Sequence, residues 1–200
     1  MLAYFVLLLA VLSRILPHAF HAVGWNFTAM GGGLLFFGSR MGADRTAGSQ
    51  PDAAYRFNRR SAAKLASALA VLMATDYYLT VFAYGYPFRV SAYLVTWLWY
   101  AAVCLLGMGI LRRPSVLRVV VGVLATSTSF FLLSNFMVWA GGALYPRTIS
   151  GLGACYVAAI PFYRNDLVST AITVGALFGL PVLAARIAES MHAAHNGHAA

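Results

Sequence analysis

The sequence predicts an all-α integral membrane protein, a six-helix transmembrane bundle. Three observations carry this: composition, the lengths of the apolar runs, and the distribution of basic residues. Of 200 residues, 61% are hydrophobic and only 10% charged, with a mean hydropathy of +0.75. A soluble domain carries about 25% charged residues because its surface must face water. A chain this apolar needs lipid around it, and its length fits one domain. The expected organisation is a single transmembrane domain over residues 1–190 and a short polar tail over 191–200.

A spanning helix needs about 20 mostly apolar residues. Residues 62–82, 90–111 and 116–139 meet this, and 167–185 follows after a long connection. Two earlier runs are shorter. Residues 1–16 stop at Pro17, and 25–39 contain Gly31, Gly32 and Gly33. Glycines let helix backbones approach closely in lipid, so these two are expected to form a tight pair. Residues 1–16 lack a basic n-region, and Arg14 follows the apolar stretch, so the segment reads as a retained helix and not a signal peptide.

Topology follows from Lys and Arg. One set of connections holds Arg40, Arg45, Arg56, Arg59, Arg60, Lys64, Arg112, Arg113, Arg118 and Arg186; the opposite set holds Arg14, Arg89, Arg147 and Arg164. The richer side belongs in the cytoplasm. Both termini are then cytoplasmic, as six spans require, and the expected location is a bacterial inner membrane. The net charge of +9 is thereby read as a topology signal, with no nucleic-acid partner expected.

Function classes can be excluded in the same way. The sequence has no Walker loop, no HExxH helix and no Ser-His-Asp arrangement, so neither an enzyme nor a cofactor is expected. Cys104 and Cys155 support no disulfide framework. His192, His195 and His198 have a spacing that grips a metal weakly; a solvated tail is the simpler reading, and no metal site is assigned.

Ionisable residues within a span are costly and are functional candidates by default. Asp76, followed by Tyr77 and Tyr78, lies late in the third span; it lines a site or pairs with a neighbour such as Arg14 or Arg89 to hold helices together, and the two readings are compatible. Tyr and Trp residues gather at the same outer level, among them Trp25, Trp139, Tyr145, Tyr156 and Tyr163, as an interfacial belt or as pocket walls. The fifth span carries Thr126-Ser127-Thr128-Ser129, read as helix glue, and Asn135, whose amide needs a partner from another helix or a solute. Residues 140–164 form a long connection. Its part from Gly151 to Phe162 is apolar, too short to span and interrupted by Pro161, which predicts a re-entrant or interfacial segment, either a lid or a packed plug. Asn165 and Asp166 are expected to cap the last helix.

Two blocks carry a family resemblance. The first is Arg14-Ile15-Leu16-Pro17-His18 with Asn26-Phe27-Thr28. The second is Ser134-Asn135-Phe136 with Trp139, Tyr145, Thr148, Gly151-Leu152, Cys155-Tyr156, Ile160-Pro161-Phe162 and Asn165. They resemble an uncharacterised bacterial family of small membrane proteins described as similar to the substrate-binding S components of energy-coupling-factor (ECF) transporters. Ala29 departs from the proline expected after Asn-Phe-Thr. The resemblance implies an S-component-like six-helix fold that takes up a vitamin-like small molecule from outside. The ligand-binding set it implies, joined to the polar residues above, is Arg14, Asn26, Asp76, Tyr77, Asn135, Trp139, Tyr145, Cys155, Tyr156 and Asn165. Cys155 is either an inert buried thiol or a soft ligand for a cobalt-bearing vitamin. The alternative to transport is a non-catalytic assembly or structural subunit. Expected partners are the lipid bilayer, the ligand, and an ECF module or another membrane protein. The first helix lacks an Ala-x-x-x-Ala docking pattern, whereas Ala62, Ala66, Ala70 and Ala74 form one on the third.

Overall fold

The structure is a computed structural model that describes residues 1–14, 27–42, 57–142 and 144–197, with the side chains of 192–197 excepted. Six helices run through these residues: α1 (Leu2–Ser13), α2 (Met30–Met41), α3 (Arg59–Tyr78), α4 (Val90–Ile110), α5 (Val116–Gly141) and α6 (Ile149–Gly197). A π-helical stretch, Leu79–Ala83, extends α3. Local chemistry sets several boundaries. The Asn58 side chain accepts the Ser61 amide at 2.9 Å and so starts α3. Ser115 does the same for α5 through Arg118. Gly85, at φ 69°, makes the turn between α3 and α4 in a conformation that side chains with a Cβ resist.

Four stretches, Arg59–Ala83, Val90–Ile110, Val116–Gly141 and Ile149–Met191, are long and apolar enough to cross a membrane. Their outward faces carry Leu98, Leu117, Val120, Leu124, Leu132 and Ile172, all exposed. The chain is a multi-pass membrane protein, and this apolar exterior is what lipid would cover.

The organising element is α2. Every residue of it except Arg40 is buried, and the other five helices surround it in the order α1, α3, α4, α5, α6. Its glycines make this geometry available. A Cβ on Gly33 would stand 2.6 Å from that of Ala10 on α1. One on Gly38 would meet the Cys104 carbonyl of α4, and on α4 itself a Cβ at Gly107 would meet the Leu35 carbonyl. Gly31 and Gly32 lie equally close to Thr170 and Thr173 of α6. The α1–α2 pairing is therefore as expected, but the glycines serve three neighbours at once, which is how a central helix with no polar outer face is accommodated.

One expectation is overturned. Residues 151–162 form no re-entrant or interfacial segment; they are the opening turns of α6, which runs unbroken through Pro161 and Pro181. In lipid a freed backbone group has no water to turn to, so helix is retained through a proline that would end it in water. Asp166 is accordingly not a cap but an interior residue of α6, on the same face as Cys155, Ala159, Thr170 and Val174, all buried. α6 is about 74 Å long at 1.5 Å per residue, well beyond a hydrocarbon core of about 30 Å. Its helix continues into the segment expected to be a polar tail, and the His192, His195 and His198 side chains lie outside the described residues.

Candidate functional site

Two polar groups flank α2. The first ties α1, α3 and α4 together around Asp76, which is fully buried. Arg14, at the C-cap of α1, places Nη2 2.5 Å from Asp76 Oδ1. From α4, Trp97 Nε1 donates to Oδ2 at 2.9 Å, and the Tyr100 hydroxyl donates to Oδ1 at 3.4 Å. The carboxylate is thus charge-paired and hydrogen-bonded on both oxygens, the condition under which a buried ion is tolerated. Thr80 donates back to the Asp76 carbonyl at 2.6 Å within the π-helical stretch. With Arg14, Trp97 and Tyr100 closing both oxygens, Asp76 joins three helices, as the helix-holding reading requires.

The second group lies along the α5–α6 seam. Cys155 is buried, its Sγ 3.4 Å from the Asn135 carbonyl. The Tyr156 hydroxyl donates to the Leu132 carbonyl at 2.9 Å, and the Tyr163 hydroxyl lies 2.9 Å from Thr128 Oγ1. Asn135 Nδ2 donates to its own helix at Phe131. At the end of α5, Trp139 Nε1 reaches the Pro146 carbonyl at 2.9 Å and so fastens the turn that starts α6. Between the two helices lies a cavity of about 210 Å³. Its wall is Phe130, Phe131 and Phe162, with Ser127, Ser134, Asn135, Tyr163 and Asp166 supplying the polar edges. Larger grooves of about 490 and 470 Å³ between α4 and α5 are lined almost wholly by apolar side chains such as Leu98, Leu133 and Met137. Those suit acyl chains, whereas the smaller cavity joins apolar walls to several polar groups.

The expected site residues divide accordingly. Arg14 and Asp76 meet on one side of α2, whereas Asn135, Cys155 and Tyr156 meet on the other. Trp139 fastens the α5–α6 turn, and Tyr145 is half-buried within it. Tyr77 belongs to neither group: it is exposed and packs edge-on against Phe82 and Phe88. Asn165 is half-buried on α6, and Asn26 lies outside the described residues. Two participants, Trp97 and Tyr100, were not singled out by the sequence, and Asp166 was read only as a cap. Among the described residues no group of three or more His, Cys, Asp or Glu gathers to hold a metal, and Cys155 has no such companions.

No curated protein and no solved structure matches the chain. A family described only as of unknown function matches nearly its whole length, residues 1–192, and on that span the chain belongs to this family, DUF6580.

Proposed function

We propose that the protein is a membrane solute-binding and transport protein, similar in its working to ECF S components, that takes up a vitamin-like micronutrient from the outer face. The observation that carries this reading is the α5–α6 cavity, where aromatic walls meet five polar side chains. Small-molecule sites have this make-up, apolar over most of their area with a few groups that fix orientation. At about 210 Å³ it is smaller than the roughly 300–1,000 Å³ of drug-sized pockets, which restricts this conformation to a compact solute. The test is mass spectrometry of detergent-purified protein. A small molecule at near-stoichiometric amount, lost in Asn135→Leu protein that still folds, is expected; its absence from protein purified out of rich medium overturns the reading.

The alternative, a non-catalytic assembly subunit, draws on one feature. Ala66, Ala70 and Ala74 of α3 are exposed and do not pack inside the monomer. Small residues at this spacing suit a close helix–helix contact. Stoichiometric copurification of another membrane protein, lost in Ala70→Leu, would favour that reading.

A further inference from the structure

We propose that Asp166, Ser127, Thr126 and Thr170 form a binding site for a sodium ion at the junction of α2, α5 and α6. Among the described residues five buried polar side-chain atoms have no hydrogen-bond partner. Four of them are Asp166 Oδ2, Ser127 Oγ, Thr126 Oγ1 and Thr170 Oγ1, all carried by α5 and α6. Asp166 and Thr170 stand one turn apart on α6. Ser127 and Asp166 face one another across the α5–α6 seam, line the same cavity and lie within polar reach of one another. Gly31 of α2 joins the two threonines: a Cβ there would stand 2.7 Å from Thr170 Oγ1 and 3.1 Å from the Thr126 methyl carbon.

Burial makes the vacancy of partners meaningful. Asp166 is 8% exposed, and Thr126, Ser127 and Thr170 are fully enclosed. Ser127 lies near the middle of α5, so the carboxylate sits deep in the membrane-spanning bundle, where an ionisable group demands a counter-charge. Asp76 has one in Arg14; no Lys, Arg or His lines the cavity beside Asp166.

The hydroxyls point the same way. A Ser or Thr in a membrane helix usually satisfies itself on a carbonyl one turn back. Ser129, Ser134, Ser169 and Thr173 all do so, at 3.0, 2.7, 3.0 and 2.7 Å. Their neighbours Thr126, Ser127 and Thr170 do not. Three hydroxyl oxygens and one carboxylate oxygen make an all-oxygen donor set, which selects a hard cation. The single negative charge is balanced by a monovalent ion; a calcium ion would want more carboxylates and six to eight oxygens. Sodium meets these conditions.

The proposal deepens the uptake reading, since an ion at the floor of the cavity would help seat a solute, but it is tested without one. Purified protein is heated in sodium, potassium or choline chloride at constant ionic strength, with no solute added. The melting temperature is expected to rise with sodium and to saturate, as binding to the native state requires, and to stay flat in choline. Asp166→Asn, near-isosteric and uncharged, is expected to fold and to lose the sodium response. Thr170→Val and Ser127→Ala, each removing one oxygen, should weaken sodium binding by about tenfold or more, and they carry the test if Asp166→Asn fails to fold. Equal behaviour of the wild type in all three salts overturns the proposal and leaves Asp166 a carboxyl that is merely protonated. So does a sodium response retained in the folded variants. Either result leaves the solute experiment standing, and a missing solute leaves this one standing.

Discussion

Asp76 and Asp166 show how two carboxylates in one bundle differ by their neighbours. Asp76 is closed on both oxygens by Arg14, Trp97 and Tyr100, so removing its charge strands a buried guanidinium. Breaking one side of such a pair costs about 3–5 kcal/mol, whereas replacing both partners with apolar groups is often close to neutral. Asp76→Asn is therefore expected to lower the melting temperature in detergent by on the order of 10 °C. The double variant Arg14→Met with Asp76→Leu should recover most of that loss. An unchanged melting temperature in Asp76→Asn would show that the ion pair contributes nothing. The sequence alone announced Asp76, because one acid in an apolar run stands out, and it named Arg14 among two possible partners. Trp97 and Tyr100 were not legible: an indole and a phenol in an apolar helix look like ordinary packing until the helix is oriented. Asp166 was hidden by its setting, since Pro161 upstream and Asn165 beside it imitate a helix start.

At the scale of elements, α6 is where local signals and lipid disagree. Proline and a polar triplet end helices in water, because water satisfies the groups that the break exposes. Within a bilayer the same groups find nothing outside the helix, and the helix continues. The signal that identifies it was present: Gly151, Cys155, Ala159, Asp166, Thr170 and Val174 fall on one face at helical spacing, and all are buried. That stripe mixes glycine, thiol, acid and hydroxyl, so a search for apolar periodicity passes over it. A distance measurement separates the two architectures. Spin labels on Ala154 and Ala176, both exposed, should lie roughly 33 Å apart along a continuous helix, shortened slightly by any bend at Pro161. Cys104 and Cys155 are buried, so labelling should be confined to the introduced thiols. A separation near half that value would restore a folded-back segment.

For the whole molecule, the count of helices was legible and their arrangement was not. Hydropathy finds apolar runs but does not say which one lipid never touches; that helix is α2, short, glycine-rich and enclosed by the other five. The sequence predicts an orientation for the bundle, and the packing gives that prediction a physical frame. α4 lies antiparallel to α3, as Tyr93 against Thr80 and Tyr100 against Asp76 require. Lys64 Nζ, near the start of α3, reaches the Met41 carbonyl at the end of α2 at 3.2 Å, so those two ends share one side. Arg40, Arg59 and Arg60 lie there, and Arg112, Arg113 and Arg118 follow at the α4–α5 turn, one full crossing after α3 has left that side and α4 has returned. Among the described residues the opposite side holds Arg14, Arg89 and Arg147; Arg164, expected there, lies instead within α6 beside Tyr163, which meets Thr128 midway along α5. The membrane potential and anionic inner leaflet retain Lys and Arg on the cytoplasmic side, so this end should face inward. Reporters that work only in the cytoplasm should then be active when fused after residue 200 or inserted within residues 43–56. Reporters that work only outside should be active when inserted in the turn near Gly85. An external signal from either of the first two positions would reverse the bundle and put Trp139 and the α5–α6 turn on the cytoplasmic side, which is incompatible with uptake from outside through that end.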